Sequence, residues 1–126
     1  MVRGRLSSLA ETASRVAAGT DLLLAVREFL DPRDRTPDDE LACLIRERPR
    51  PTGSAEGDAL LAGLAEHVAV TRGLPCPAWV QEPARFLDHF WFVSATPGFR
   101  AISLAQAPIA LKRRGILWPA RSLRRV

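Results

Sequence analysis

Imidazole, thiol and carboxylate are the groups in this sequence that could carry reaction chemistry. They occur together at Glu66-His67, with Cys76 downstream, and at Asp88-His89. An imidazole beside a carboxylate can move protons or ligate a metal. A metal-binding helix places a second ligand three or four residues further on, and neither histidine has one. His67 falls between Leu64 and Val68, at the border of an apolar face, so a structural role is favoured for it and, by the same reasoning, for His89. Cys76 sits between Pro75 and Pro77, where a rigid turn would expose it, but the only cation near it in sequence is Arg72. Without an activating neighbour the thiol reads as buried and structural, as does Cys43. Neither a CxxC pair nor a paired-histidine pattern accompanies them, so a disulfide framework and a zinc site are both unsupported. GxSxG, P-loop, HExxH and GxGxxG patterns do not occur either. The residues therefore predict a protein that is not an enzyme and needs no cofactor or metal, with a small hydrolase or transferase using His67 or Cys76 as the lowest alternative.

Charge is the stronger functional signal. Residues 1 to 99 carry 11 arginines against all 14 acids, a net charge of −3, whereas residues 100 to 126 carry no acid and a net charge of +7. The cations of that segment are Arg100, Lys112, Arg113, Arg114, Arg121, Arg124 and Arg125. The last turn of a helix accounts for Lys112 to Arg114, since cations favour the negative end of the helix dipole. It does not account for the rest, which read as a contact surface for an acidic protein or a nucleic acid. The preference for Arg over Lys is discounted, because abundant Ala, Arg and Pro reflect GC-rich codon use. The aromatics Trp79, Phe90, Trp91 and Phe92 would make a base-stacking platform if cations were interleaved with them, but only Arg85 is near, so they read as core.

The elements that must position these groups follow from apolar spacing and caps. Composition is that of one soluble globular domain over residues 1–126, 47% hydrophobic and 25% charged, with the basic segment at 108–126. No apolar run reaches the ~18 residues of a membrane span, so no membrane partner is expected and the cytoplasm is the expected location. Leu6, Leu9, Ala13 and Val16 predict a helix over residues 5–18 that Gly19 stops. Thr20 should cap a second helix ending at Asp31-Pro32, and Thr36 a third, with Pro37 at its first position, ending near Arg48. After the loop RPRPTGSAEG, Ser54 should cap a central helix whose Leu60, Leu64 and Val68 form one stripe and which Gly73 ends, with Leu74 folding back. Prolines at 75, 77 and 83 then break up a stretch rich in Trp and Phe, read as the core knot from Trp79 to Phe92. Glu82-Pro83 and Thr96-Pro97 are candidate starts of short helices, and Pro108 begins another through Arg114 that Gly115 ends. WFVSA and GILW have the composition of short strands, as a hairpin or edge pair. The expected fold is all-α, a compact bundle of about five helices with an irregular aromatic segment and a short β-pair as the open alternative near the C-terminus.

Three stretches also carry a resemblance. GLAEHVAVTRGLPCPAW, EPARFLDHFWFVS and APIALKRRGILWPARSLRRV resemble a family of small actinobacterial proteins with the ordered pattern AEH, GLPxPxW, PxRFL, WF and APxALxRRGIxxxxxSLxxV. The likeness spans residues 59 to 126, and the front of the chain follows as a helical lead-in. It implies an antitoxin-like protein encoded beside a nucleotidyltransferase-like toxin, hence a toxin-binding protein in a toxin-antitoxin system. No catalytic residue carries over. Longer relatives include a helix-turn-helix for which this chain shows no separate pattern, which weakens the case for operator binding by this chain alone. A nucleic-acid-binding accessory or transcriptional regulator is the alternative.

Overall fold

The computed structural model describes residues 7–31, 36–93 and 99–119. Within them the chain is mainly helical: α1 (Leu9–Ala17), α2 (Leu22–Leu30), α3 (Asp38–Arg46), α4 (Ala55–Arg72), α5 (Phe99–Gln106) and α6 (Ile109–Lys112). Two 3-10 turns, Ala78–Gln81 and Pro83–Arg85, follow α4, and a minimal sheet joins β1 (Trp91–Phe92) to β2 (Ile116–Leu117). No helix among the described residues is long and apolar enough to cross a membrane.

The helix ends follow side-chain chemistry, though not always at the residue expected. α1 starts with a reciprocal capping box in which the Ser8 hydroxyl accepts from the Glu11 N–H and the Glu11 carboxylate accepts from the Ser8 N–H. α2 is capped by Asp21 rather than Thr20, its carboxylate accepting from Leu24 N–H at 3.1 Å. α3 has no side-chain cap, because Pro37 occupies that position. Thr36 is instead buried, and its carbonyl accepts from Arg72 Nη2 at 2.8 Å. Arg72 also pairs with Asp38, which ties the end of α4 to the start of α3. Ser54 caps α4 as expected, Gly73 closes it in the left-handed conformation, and Leu74 N–H returns to Ala69 O at 2.8 Å.

α4 is the axis of the fold and packs against α1, α3, α6 and both 3-10 turns. Burial runs around it without a gap from Ala59 to Ala65, rather than along the single stripe expected, because neighbours cover it on several sides. Its Gly63 admits Leu111 of α6, which a methyl group would displace. An ion pair between Arg15 and Glu28 joins α1 to α2. The aromatic stretch is core only in part. Trp79 is buried with its indole N–H donating to Ile45 O at 3.1 Å, Phe86, Trp91 and Phe92 are half-buried, and Phe90 faces solvent.

The strand reading of WF and IL holds, but their pairing is parallel, Trp91 with Ile116 and Phe92 with Leu117, rather than a hairpin. α5 and α6 lie between the two strands in sequence, and a parallel pair needs such a crossover. α6 is shorter than the expected 108–114, and the chain then turns through Gly115 at φ 87°. Beyond it Leu117 and Trp118 dock on the core. In α5, Ser103 points inward and Gln106 outward. The linker residues 32–35, the Thr96-Pro97 start and the apolar Leu123 and Val126 lie outside the described residues.

Gly115 offers a direct test of this closure. A Cβ there would lie 2.6 Å from His89 O, on a backbone conformation that L residues resist. Gly115→Ala should cost roughly 3 kcal/mol, combining left-handed strain with overpacking. Urea denaturation would show this as a lower midpoint at unchanged m-value.

Candidate interaction surface

α6 sorts the basic cluster by helical position. Ala110, Leu111 and Arg114 turn inward, while Ile109, Lys112 and Arg113 share the outward face at three- and four-residue spacing. Arg114 is therefore removed from the expected contact surface. It is 0% exposed, and its Nη1 donates to Glu66 Oε1 at 2.6 Å and Ala110 O at 2.7 Å while Nη2 donates to Val80 O at 2.7 Å. The Phe86 ring lies 4.5 Å from the guanidinium carbon, and Nε alone has no partner. Burial pulls the Arg114 pKa down and the Glu66 carboxylate opposes this, leaving a cation at any physiological pH.

Arg113 stays exposed but is partly committed, with Nε donating to Glu66 at 3.3 Å and Nη2 to Gln81 Oε1 at 2.8 Å. Lys112 is half-buried, and its ammonium has no hydrogen-bond or ion-pair partner among the described residues. Arg100, on α5, stands 5.1 Å over the Phe92 ring. Arg121, Arg124 and Arg125 lie outside the described residues.

A second buried arginine repeats the Arg114 arrangement. Arg85 donates from Nε to Glu82 at 2.9 Å, from Nη1 to Asp58 O at 3.2 Å and from Nη2 to Pro49 O at 2.9 Å, and it lies 4.8 Å over Trp79. Arg48 joins Glu82 from the other side, and its hydrogen bond, with that of Arg85, holds the Glu82 carboxyl below its ordinary pKa. The pattern residues of PxRFL and RRGI thus hold the irregular segment against α4. Arg85 is spent inside, and Trp79 is buried beneath it, so the four aromatics do not assemble into a base-stacking platform.

The histidines and cysteines are not brought together as a reaction centre. His89 Nδ1 is 2.8 Å from Asp88 Oδ1 and Nε2 is 3.6 Å from Glu56 Oε2, and both carboxylates raise its pKa, Asp88 more strongly. Its hydrogen bond in turn lowers the Asp88 pKa. Cys43 and Cys76 are exposed, against the expectation of buried thiols, because Cys43 lies on the outer face of α3 and the two prolines hold Cys76 in an open loop. Partial desolvation and the nearby Glu66 push the Cys76 thiol above its ordinary pKa, the reverse of activation. Among the described residues no group of three or more His, Cys, Asp or Glu side chains could hold a metal ion.

What the structure adds is an apolar component to the basic face. Phe90 is 70% exposed and Ile109 69% exposed. Phe90 shares with Lys112 and Arg113 an open depression of about 370 Å³, lined also by Leu87, Asp88, His89 and Gly115. Reading Phe90 as core hid this, and the signal that could have revealed it was Ile109, three residues before Lys112 on the same helix face. No protein-family model, curated protein or solved structure matches the chain.

Two measurements probe the geometry. Arg114→Ala leaves the half-buried Glu66 with only the longer Arg113 contact and should cost about 3 kcal/mol, whereas Arg114→Met with Glu66→Gln should cost less than the sum of those two single changes; chemical denaturation of wild type, the two single variants and the double variant gives the cycle. In an NMR titration His89 should have a midpoint above the ordinary histidine value, and Asp88→Asn should lower it. The sign follows from the raised folded-state pKa: the His89 contribution is present at pH values below the unfolded-state pKa and fades as pH rises through the folded-state one.

Proposed function

We propose that this chain is an interaction protein that docks an acidic partner protein through the outward face of α6 and the adjoining Phe90 loop. The observation that carries the reading is the exposed Phe90 on one open depression with Lys112 and Arg113. Aromatic and Arg side chains are over-represented in the well-packed centres of protein interfaces, and a cationic rim favours a carboxylate-rich counterpart. The resemblance in residues 59 to 126 supplies the partner class, a nucleotidyltransferase-like toxin, and with it the role of antitoxin.

Neutralisation would then work by occlusion. A cleft that binds nucleotide and Mg²⁺ presents carboxylates, and Arg100, Lys112 and Arg113, with Arg121, Arg124 and Arg125 of the basic segment, would pair with them while Phe90 and Ile109 exclude water. Arg114 plays a different part from the one its charge suggests, as it fixes the loop and helix that present the other groups.

Co-expression with the product of the neighbouring gene should give a co-purifying complex that suppresses nucleotidyl transfer stoichiometrically. Phe90→Asp with Lys112→Glu alters two side chains outside the core and should weaken the complex about 100-fold, some 2.7 kcal/mol by calorimetry, with unchanged circular dichroism. Wild-type affinity in that variant would end the proposal. So would the absence of a complex combined with steep, salt-dependent binding to duplexes of any sequence, which is the signature of phosphate contacts.

A further inference from the structure

A second concavity lies between α3 and the loop after α4 and shares no lining residue with the depression beside Phe90. It encloses about 350 Å³, and its walls are Ala42 and Arg46 of α3, Arg48, and the run from Pro75 to Trp79. We infer that this groove binds a small aromatic carboxylate, its ring lying on the proline and tryptophan wall and its carboxylate paired with Arg46. Neither the basic face nor the antitoxin reading enters this inference.

The walls dictate the ligand's two parts. Pro75 and Pro77 have no backbone N–H, so neither proline offers an anion a donor, and their rings present apolar surface on that side of the groove. Trp79 forms part of the wall and cannot swing away, because its indole N–H is bonded to Ile45 O at 3.1 Å and Arg85 stacks on its ring at 4.8 Å. The tryptophan wall is thus preformed, which reduces the ordering cost of binding on that side. Its volume falls in the range of small-molecule sites, whose walls are mainly apolar with a few placed polar groups.

Charge then selects an anion. The lining residues include two arginines and no carboxylate. Arg48 is shared with Glu82 at 2.6 Å, whereas Arg46 is exposed and has no partner among the described residues. A planar guanidinium accepts a carboxylate in two parallel hydrogen bonds. Cys76, on the same wall, is held as a thiol by partial desolvation and by nearby Glu66, a carboxylate that lies outside the lining and is paired with Arg114 and Arg113.

The test is an NMR titration of the full chain with naphthalene-2-carboxylate, using the matching neutral alcohol and ammonium compounds as comparators. The Trp79 indole N–H and the Cys76 amide should shift saturably with the carboxylate, and the alcohol should bind at least about tenfold more weakly. Arg46→Glu should cost the carboxylate at least about tenfold while leaving the alcohol's affinity unchanged, as expected when the lost contact is ionic. Cys76→Phe, a change at an exposed position, should fill the groove and abolish binding of both. Absence of saturable shifts up to about 5 mM ligand would overturn the site. Equal affinity in Arg46→Glu, equal affinity for the ammonium compound, or shifts centred on Phe90 would overturn it too. None of these variants alters Phe90 or Lys112, so loss of this site and loss of the docking face are separate results.

Discussion

A guanidinium with no exposed surface is the constraint around which the C-terminal half is arranged. Placing a cation in the interior costs several kcal/mol in lost hydration, and the structure offsets this only by converging a carboxylate, two carbonyls and an aromatic ring on Arg114. Each of those groups belongs to a different piece of chain: Glu66 to α4, Ala110 to α6, Val80 to the first 3-10 turn and Phe86 to the loop beyond the second. Satisfying one charge therefore specifies how four segments meet. An apolar residue of equal volume would fill the space without dictating that arrangement.

Arg85 extends the same logic toward the N-terminal end of α4, where it gathers Asp58 O, Pro49 O and Glu82. Between the two arginines the proline-rich segment acquires a fixed path with almost no regular secondary structure of its own. Chain too irregular to satisfy its own carbonyls is served by forked donors from elsewhere in the sequence, and this leaves Phe90 and Cys76 exposed on loops whose backbones are nevertheless held.

The helices were legible because their signals are local. Gly73, Ser54 and the Leu60, Leu64 and Val68 spacing act within a few residues, and the fold class followed from them. The caps that shifted, Asp21 for Thr20 and Pro37 for Thr36, each moved by one residue, and the Thr36 carbonyl is held by Arg72 from 36 residues away. Distance also explains the largest misreading. Lys112, Arg113 and Arg114 look alike as a basic run, but Arg114 meets a carboxylate 48 residues earlier that nothing local announces. The parallel strands were legible in composition alone, since two-residue strands show no alternation and carry no register. The exposure of Phe90 contradicts its apolar character and follows from the path of the loop, with exposed Ile109 beside Lys112 as the one hint in the sequence that this face is partly apolar.

The separation between Glu66 and Arg114 also orders events in time. As the chain is synthesised, α4 emerges with its carboxylate well before the guanidinium that answers it, and the 3-10 turns appear with their carbonyls unclaimed. Loop-closure entropy opposes every contact that spans so long an interval. Until residue 114 arrives, α1 to α4 can pack on one another, but the proline-rich segment has no anchor on the α6 side. Its final path is therefore a late step in folding, taken only once α6 and Arg114 are in place.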